Sequence, residues 1–124
     1  MADAKTILIV DDDVTLREMY EERLKQSGYQ VIGGSDGEEA VNKAKSEHLN
    51  LIILDIMMPK VNGIDALKTL RDDEATKDIP VIILTALIQE IDKIKDILTE
   101  KDAYFIKSEE MPKDVVDKVA QILS

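Results

Sequence analysis

The sequence predicts one α/β domain, in which a doubly wound, five-stranded parallel sheet carries helices on both faces. Five short apolar runs rich in isoleucine and valine recur along the chain, and a segment with helical spacing follows each run. Runs this short favour strands, and alternation of strand and helix is typical of parallel sheets joined by right-handed crossovers. The chain has 124 residues, which is the length of one compact domain.

The predicted strands are short and mostly free of polar residues. They are ILIV (7–10), YQVI (29–32), LIIL (51–54), VIIL (81–84) and AYFI (103–106). All but YQVI are continuous apolar runs, which are typical of strands covered on both faces. We therefore expect the sheet to lie between two layers of helices.

Five helices are predicted from apolar residues at helical spacing. Their apolar faces consist of Leu16, Met19, Tyr20 and Leu24; Ala40, Val41 and Ala44; Ile64, Leu67 and Leu70; Ile88, Ile91, Ile94 and Leu98; and Val116, Val119, Ile122 and Leu123. Asp13 is expected to cap the first helix and Gly28 to end it, while Ser35 or Asp36 is expected to cap the second.

The fourth predicted helix has an unusual pattern. Its isoleucines at positions 88, 91, 94 and 97 lie three residues apart, so on an α-helix they wind around the axis. We expect most of them in the core and part of the row at a partner surface.

Composition and charge argue against several classes of function. The formal net charge is −10 and the basic residues are interspersed with acidic ones, so no basic surface for nucleic acid is visible. There is no cysteine, hence no disulfide, thiol nucleophile or zinc-thiolate site. No apolar run approaches the roughly 18 residues of a membrane span, and the N-terminus lacks a signal-peptide pattern. A cytoplasmic location without a membrane partner is therefore expected.

Polar side chains follow four of the predicted strands at the point where each strand ends. Asp11 and Asp12 follow the first strand, Asp55 the third, Thr85 the fourth and Lys107 the fifth. The carboxyl ends of parallel strands meet at one edge of the sheet, where doubly wound domains bind their ligands. We therefore expect these side chains to form one site.

The residue types at these strand ends indicate phosphate chemistry. Clustered carboxylates need a counter-charge to stay ionised, and Mg²⁺ is commonly held by one or two carboxylates, waters and a phosphate oxygen. A lysine and a hydroxyl beside such a cation suit phosphoryl transfer, which depends on positioning and on neutralising the phosphoryl oxygens. A carboxylate can also accept the phosphoryl group covalently. The residue types alone leave open which carboxylate does so.

The segments ILIVDDD, LIILDIMMPKVNG, VIILTA and AYFIK resemble the receiver domain of two-component response regulators, with similar spacing over nearly the whole chain. The resemblance, to single-domain regulators of the chemotaxis and sporulation type, implies one receiver domain over residues 1–124 with the flavodoxin-like strand order 2-1-3-4-5. It implies that Asp55 accepts a phosphoryl group from the phosphohistidine of a sensor histidine kinase or phosphotransfer protein. Asp12 is then the expected direct Mg²⁺ ligand and Asp11 acts largely through water, with Asp55 and the backbone carbonyl of Met57 completing the metal site.

The same resemblance gives roles to the remaining site residues. Thr85 is expected to hydrogen-bond a phosphoryl oxygen and Lys107 to pair with another, while Ala86 leaves room for the group. Tyr104 matches an aromatic switch residue, which relays the change at Thr85 to the surface of the fourth helix, fifth strand and fifth helix. Such a protein catalyses its own phosphorylation and dephosphorylation and is not a metabolic enzyme. The partners implied are the kinase, an unidentified downstream protein and, after phosphorylation, a second copy of the chain.

Two positions depart from the family pattern. Most receivers carry proline with a cis peptide after the lysine, whereas Ser108 follows Lys107 here. A cis bond before a residue other than proline costs roughly 3 to 4 kcal/mol, so a trans peptide is expected. Glu100 and Lys101 replace the Gly-Ala pair common before the fifth strand, so the loops near the output surface are expected to differ.

Several conspicuous residues have simpler structural explanations. Pro59 and Gly63 are expected to shape the loop after the acceptor, Pro59 through its fixed φ and Gly63 through a positive φ. His48 is the only histidine and lies in a polar stretch, so it is expected at the surface. Met57 is expected to act through its backbone, while its side chain shades the acceptor from water.

Three alternative functions stay open. DDDVTL also fits the opening motif of haloacid-dehalogenase-type phosphatases, with Asp11 as nucleophile, but residues 108–124 leave little room for the further acidic motif of such enzymes. A flavodoxin-like electron carrier would need a phosphate-binding loop where three aspartates stand. The third alternative is a phosphorylation-independent interaction module of the same fold.

Overall fold

Five strands alternate with helices and form a single parallel sheet. In this computed structural model, which describes residues 4–58, 62–86, 88–109 and 111–124, β1 spans Thr6–Val10, β2 Gln30–Gly34, β3 Leu51–Asp55, β4 Val81–Thr85 and β5 Ala103–Ile106. The strand order is β2-β1-β3-β4-β5, and all four pairings are parallel. The predicted fold class and strand order are confirmed.

In the described part of the chain, four α-helices and one 3-10 helix follow the strands. They are α1 (Val14–Gln26), α2 (Gly37–Ser46), α3 (Gly63–Asp72), the 3-10 helix at Ile88–Lys93, and α4 (Pro112–Leu123). Asp13 caps α1 as expected, since its side chain accepts a hydrogen bond from the Leu16 N–H at 3.1 Å. Gly28 follows the end of α1 with a φ of 97°, and Asp36 rather than Ser35 caps α2. No described helix has the length and apolarity of a bilayer span.

The sheet separates two apolar layers. Alternate side chains of the central strands pack with α2, α3 and the 3-10 helix on one face and with α1 and α4 on the other. β1, β3 and β4 are buried almost throughout, as their continuous apolar runs predict, and each isoleucine or leucine buried there stabilises the fold by about 1.5 to 3 kcal/mol. β5 was expected to be covered on both faces as well, which is wrong, because it is an edge strand whose Tyr104 is 46% exposed.

The second strand lies further along the chain than its apolar residues indicate. Residues 29–32 were predicted, whereas β2 runs to Gly34 because it pairs in register with β1, with Ile9 opposite Gly33 and Val10 opposite Gly34. Pairing with a buried neighbour therefore extends the strand through two glycines of low strand propensity.

The fourth predicted helix is not an α-helix. A 3-10 helix is followed by turns over residues 94–97, and the isoleucine spacing of three suits its 3.0 residues per turn. Ile91 and Ile94 are buried, whereas Ile88 is 63% exposed. Part of the row therefore reaches the surface, as expected.

Candidate functional site

The strand ends bring all five predicted polar residues to one edge of the sheet, and four of them are buried or half-buried. Asp11 directly follows β1, Asp55 and Thr85 are the last residues of β3 and β4, and Lys107 directly follows β5. Asp11, Asp55 and Thr85 are at most 3% exposed. Asp12 is exposed beside them, so the site is a buried acidic floor with one carboxylate at its mouth.

The three aspartates form a cluster of hard oxygen donors. One carboxylate oxygen each from Asp11, Asp12 and Asp55 can be chosen so that all lie within 4.8 Å of one another. Hard divalent cations prefer oxygen ligands of this kind. Because two of the carboxylates are buried and the third faces solvent, the donor set fits a cation that enters from the surface and keeps part of its water.

The side chain of Lys107 bridges two of these carboxylates. Its Nζ lies 3.0 Å from Asp11 Oδ2 and 3.2 Å from Asp55 Oδ2. The backbone N–H of Lys107 donates to the Thr85 carbonyl at 2.8 Å, which fixes the start of the side chain. The Lys107–Ser108 peptide is trans, as predicted, and the ammonium reaches the acidic floor with this geometry.

Burial and charge shift the acid–base equilibria of this pair. Burial raises the pKa of Asp55 to about 6, and the charge of Asp11 raises it as well, while Lys107 and the Met57 N–H lower it. Burial lowers the pKa of Lys107, but its hydrogen bonds and the charges of Asp55 and Asp11 outweigh burial and leave its pKa above the usual value. The lysine is therefore a permanent cation beside a carboxylate that is costly to ionise.

The backbone after Asp55 is packed closely against the start of α3. The Met57 N–H donates to Asp55 Oδ1 at 3.2 Å, and the Gly63 N–H donates to the Ile56 carbonyl at 2.8 Å. A Cβ on Gly63 would lie 2.2 Å from the Asp55 carbonyl oxygen. The expected positive φ at Gly63 is wrong, since among the described glycines only Gly28 has one. Close approach of two backbones is what requires glycine there, and Pro59 lies outside the described residues.

The remaining predicted residues are exposed. Ala86, directly after Thr85, is exposed, and Met57 is 50% exposed. Neither the carbonyl ligand role of Met57 nor the relay role of Tyr104 is decided by these positions, and both stay predictions. His48 is at the surface, as expected.

Comparison with known proteins identifies the family. The sequence matches the family described as "Response regulator receiver domain" over residues 7–120. The chain belongs to this family of two-component response-regulator receiver domains. Receiver domains take a phosphoryl group from histidine kinases. Family membership decides against the phosphatase and electron-carrier alternatives and accounts for LDIMMPKVNG.

The receiver domain has relatives among transcriptional regulators. It is 40% identical over 119 residues to the probable transcriptional regulator ycf27 of Cyanophora paradoxa, with 96% of this chain and 48% of that protein covered. The identity and coverage are the same for the alkaline phosphatase synthesis transcriptional regulatory protein PhoP of Bacillus subtilis, again 40%, 96% and 48%. The chain thus spans about half the length of the curated relatives it matches.

A solved relative bears on the acidic cluster. The response regulator protein TrrA of Thermotoga maritima, solved in complex with Mg(2+)-BeF, is 32% identical, with a TM-score of 0.82 and coverage of 95% of this chain and 98% of that one. The Mg(2+)-BeF complex was observed in TrrA. Its fold matches the present one over 95% of this chain.

Two arginines with inward contacts were not predicted from the sequence. Arg17 donates from Nη1 to the backbone carbonyl of Asp11 at 2.8 Å. Arg71 forms an ion pair of 2.7 Å with Asp102 at the opposite edge of the sheet, where Asp102 also accepts from the Val81 N–H at 2.8 Å. Each arginine stands in a helix among other charged residues, and nothing in the local sequence marks it as facing inward.

Proposed function

We propose that this receiver domain is a phosphorylation-activated switch that accepts a phosphoryl group from a histidine kinase phosphohistidine onto Asp55. The observation that carries the proposal is a buried Asp55 carboxylate that lies within one acidic cluster and is also paired to the Lys107 ammonium at 3.2 Å. An acceptor, a cation-binding donor set and a fixed positive charge are the parts that phosphoryl transfer needs. The domain is proposed to extend over residues 1–124.

The metal site is proposed to consist of Asp12 as direct ligand, Asp11 acting largely through water, Asp55, and the backbone carbonyl of Met57. When bound there, Mg²⁺ supplies positive charge beside the phosphoryl oxygens and helps to position them. The burial of Asp11 and Asp55 supports this assignment, because carboxylates in a low-dielectric site gain most from a cation.

In the transfer step, an Asp55 carboxylate oxygen forms a bond to phosphorus as the bond from phosphorus to the donor's imidazole nitrogen breaks. The electron pair of the broken bond stays on the imidazole, which takes a proton from solvent. Lys107 then pairs with a phosphoryl oxygen, and the Thr85 hydroxyl donates a hydrogen bond to another. Ala86 leaves room for the group. Water later hydrolyses the aspartyl phosphate in the same site. The Met57 side chain slows this hydrolysis because it shades the aspartyl phosphate from water.

The signal is proposed to leave through the surface formed by the 3-10 helix, β5 and α4. Tyr104 is central to this surface because it is an exposed aromatic on β5, the strand that Lys107 directly follows. The added charge shifts an existing equilibrium between conformations. A downstream protein and, after phosphorylation, a second copy of the chain are the proposed partners, with no direct binding to nucleic acid. The cytoplasm is the proposed location.

Phosphorylation in vitro tests the acceptor. The purified chain is incubated with Mg²⁺ and acetyl phosphate or an autophosphorylated kinase core, and the added phosphoryl mass is measured on the intact protein by mass spectrometry. Borohydride then reduces the aspartyl phosphate to homoserine with release of phosphate, and the position of the homoserine identifies the acceptor. Asp55→Asn should abolish modification, and Asp78→Asn, an exposed residue away from the site, should leave it unchanged. Labelling that survives Asp55→Asn and disappears in Asp11→Asn would contradict the proposal.

Binding of beryllofluoride separates the switch from an interaction module. With Mg²⁺ and beryllofluoride, NMR shifts should change at the strand ends and extend to Tyr104 and α4. A chain that binds neither Mg²⁺ nor beryllofluoride would instead be a phosphorylation-independent interaction module.

A further inference from the structure

We propose that Arg17 is a positioning residue of the metal site, which holds the backbone that presents Asp11 and Asp12. The inference rests on the proposed function, because it concerns the same cation site. Arg17 donates to the main-chain carbonyl of Asp11 and acts through the main chain.

The turn after β1 is held at three points. The Asp11 N–H donates to the Gly34 carbonyl at 3.1 Å, which continues the sheet by one residue. The Asp13 N–H donates to Asp11 Oδ1 at 2.9 Å, which closes the turn. Arg17 Nη1 donates to the Asp11 carbonyl at 2.8 Å. Since that carbonyl belongs to the peptide joining Asp11 to Asp12, Arg17 sets the orientation of the peptide from which the Asp12 side chain is presented.

Arg17 is itself held against the sheet. Its Nε lies 3.4 Å from Glu21 Oε1, and the two side chains are only 17% and 23% exposed. A Cβ on Gly33 would lie 2.4 Å from Glu21 Oε1 and 3.4 Å from Arg17 Nε. Arg17 and Glu21 therefore fill the space over the β2 backbone at Gly33. The Arg17 guanidinium thus lies where α1, β2 and the turn after β1 come together.

The chemistry of this contact suits arginine better than lysine. A guanidinium is planar and presents donors in fixed directions, so Nε can face Glu21 while Nη1 faces the carbonyl. An ammonium is a hydrated point charge on a flexible stem and does not hold two acceptors in fixed directions.

Charge and position have opposite effects on the cation, which makes the inference testable. A positive charge near the site disfavours Mg²⁺, so its removal alone would tighten binding. Loss of a positioning contact behind a metal ligand commonly weakens metal binding roughly 10- to 100-fold. The sign of the change in Mg²⁺ affinity therefore separates the two roles.

The test uses Arg17→Met and Arg17→Lys in the full chain, with Mg²⁺ titrated by calorimetry and by NMR at constant ionic strength. Both variants are expected to raise the Mg²⁺ Kd roughly 10-fold. Arg23→Met, an exposed residue on the same helix, should leave the Kd unchanged. Tighter binding in Arg17→Met, with wild-type affinity in Arg17→Lys, would show that Arg17 is only a nearby charge.

A second measurement needs no metal. Amide hydrogen exchange at Asp13, whose N–H is bonded to Asp11 Oδ1, should accelerate about 10-fold or more in Arg17→Met, while the β3 and β4 amides keep wild-type rates. Equal acceleration throughout the sheet would mean a general loss of stability and would overturn the positioning role.

The two proposals fail separately. If Asp55 is never phosphorylated but both Arg17 variants bind Mg²⁺ more weakly, the positioning role stands and the proposed function falls. If Asp55 is phosphorylated normally and neither variant weakens Mg²⁺ binding, the positioning role falls.

Discussion

The ammonium of Lys107 lies 3.2 Å from an Asp55 carboxylate oxygen, although the two residues are 52 positions apart in the chain. The same Nζ is 3.0 Å from Asp11 Oδ2, so one cation balances two buried carboxylates. This arrangement makes the lysine both a stabilising partner of the acidic floor and a competitor for any metal that binds there.

Replacing Lys107 with methionine should separate these two effects. Without Mg²⁺ at pH 7, two buried carboxylates lose their partner, so the free energy of unfolding should fall by about 2 to 4 kcal/mol. The Mg²⁺ Kd should fall several-fold, because a competing positive charge is gone. Urea denaturation with and without Mg²⁺ measures both effects.

Lys113→Met is the matched control, since its ion pair with Asp117 is exposed, at 78% and 63% for the two side chains. It should change neither stability nor Mg²⁺ affinity. Equal stability of Lys107→Met and the wild type in the absence of metal would rule out the stabilising role.

The raised pKa of Asp55 predicts how stability depends on pH. Its pKa is about 6 in the folded protein against an ordinary value of 3.8, so the folded state binds more protons than the unfolded state between these values. Stability contributed by the protonated carboxyl is therefore present below pH 3.8 and is lost as pH rises through about 6.

Asp55→Asn should remove the free-energy cost of ionising a buried carboxyl at this position. In the absence of metal it should increase the free energy of unfolding at pH 7.5 by about 1 to 3 kcal/mol and change it little near pH 4. Denaturation at the two pH values measures the difference, with Asp78→Asn as an exposed control. A gain that is equal at both pH values would have another cause than ionisation of Asp55.

Mg²⁺ should stabilise the fold through Asp12. A ligand at 100 times its Kd adds about 2.7 kcal/mol to the free energy of unfolding. Asp12→Asn should remove most of that gain, because it replaces one of the three carboxylates whose oxygens lie within 4.8 Å of one another.

Asp13→Asn is a close control for this prediction, because asparagine caps a helix as well as aspartate does and Asp13 lies outside the cluster. It should keep the Mg²⁺-dependent rise in melting temperature. If both variants keep the rise, Asp12 is not a ligand.

The sequence predicts most of the site because its residues follow strands. Asp55, Thr85 and Lys107 could be placed together from strand ends and parallel order alone, since the register of buried strands is fixed by their apolar faces. Arg17 and Arg71 could not, because a charged residue on a helix is ordinarily exposed. The two arginines face inward because the turn after β1 and the loop before β5 offer them hydrogen-bond acceptors. Only the tertiary fold brings these acceptors near the helices.

The 3-10 helix and Gly63 show a second limit. A spacing of three residues between isoleucines is compatible with two kinds of helix, and the choice depends on packing against β4 and β5. A position can require glycine because its φ is positive or because there is no room for a Cβ. At Gly63 only the folded structure distinguishes these two reasons. A positive φ was predicted, whereas the Asp55 carbonyl approaches so closely that Gly63 has no room for a Cβ.

Gly63→Ala should therefore be more damaging than Gly28→Ala. A Cβ at Gly63 would lie 2.2 Å from a backbone oxygen and 2.6 Å from the Ile56 Cα, and neither atom can move without displacing β3 or α3. We expect a loss of about 3 kcal/mol or more in the free energy of unfolding, together with weaker Mg²⁺ binding because Asp55 shifts. Gly28 has a φ of 97° but open space around it, so its substitution adds only backbone strain of about 1 to 2 kcal/mol. Urea denaturation ranks the two variants, and a larger loss at Gly28 would mean that α3 moves away from Asp55 at little cost.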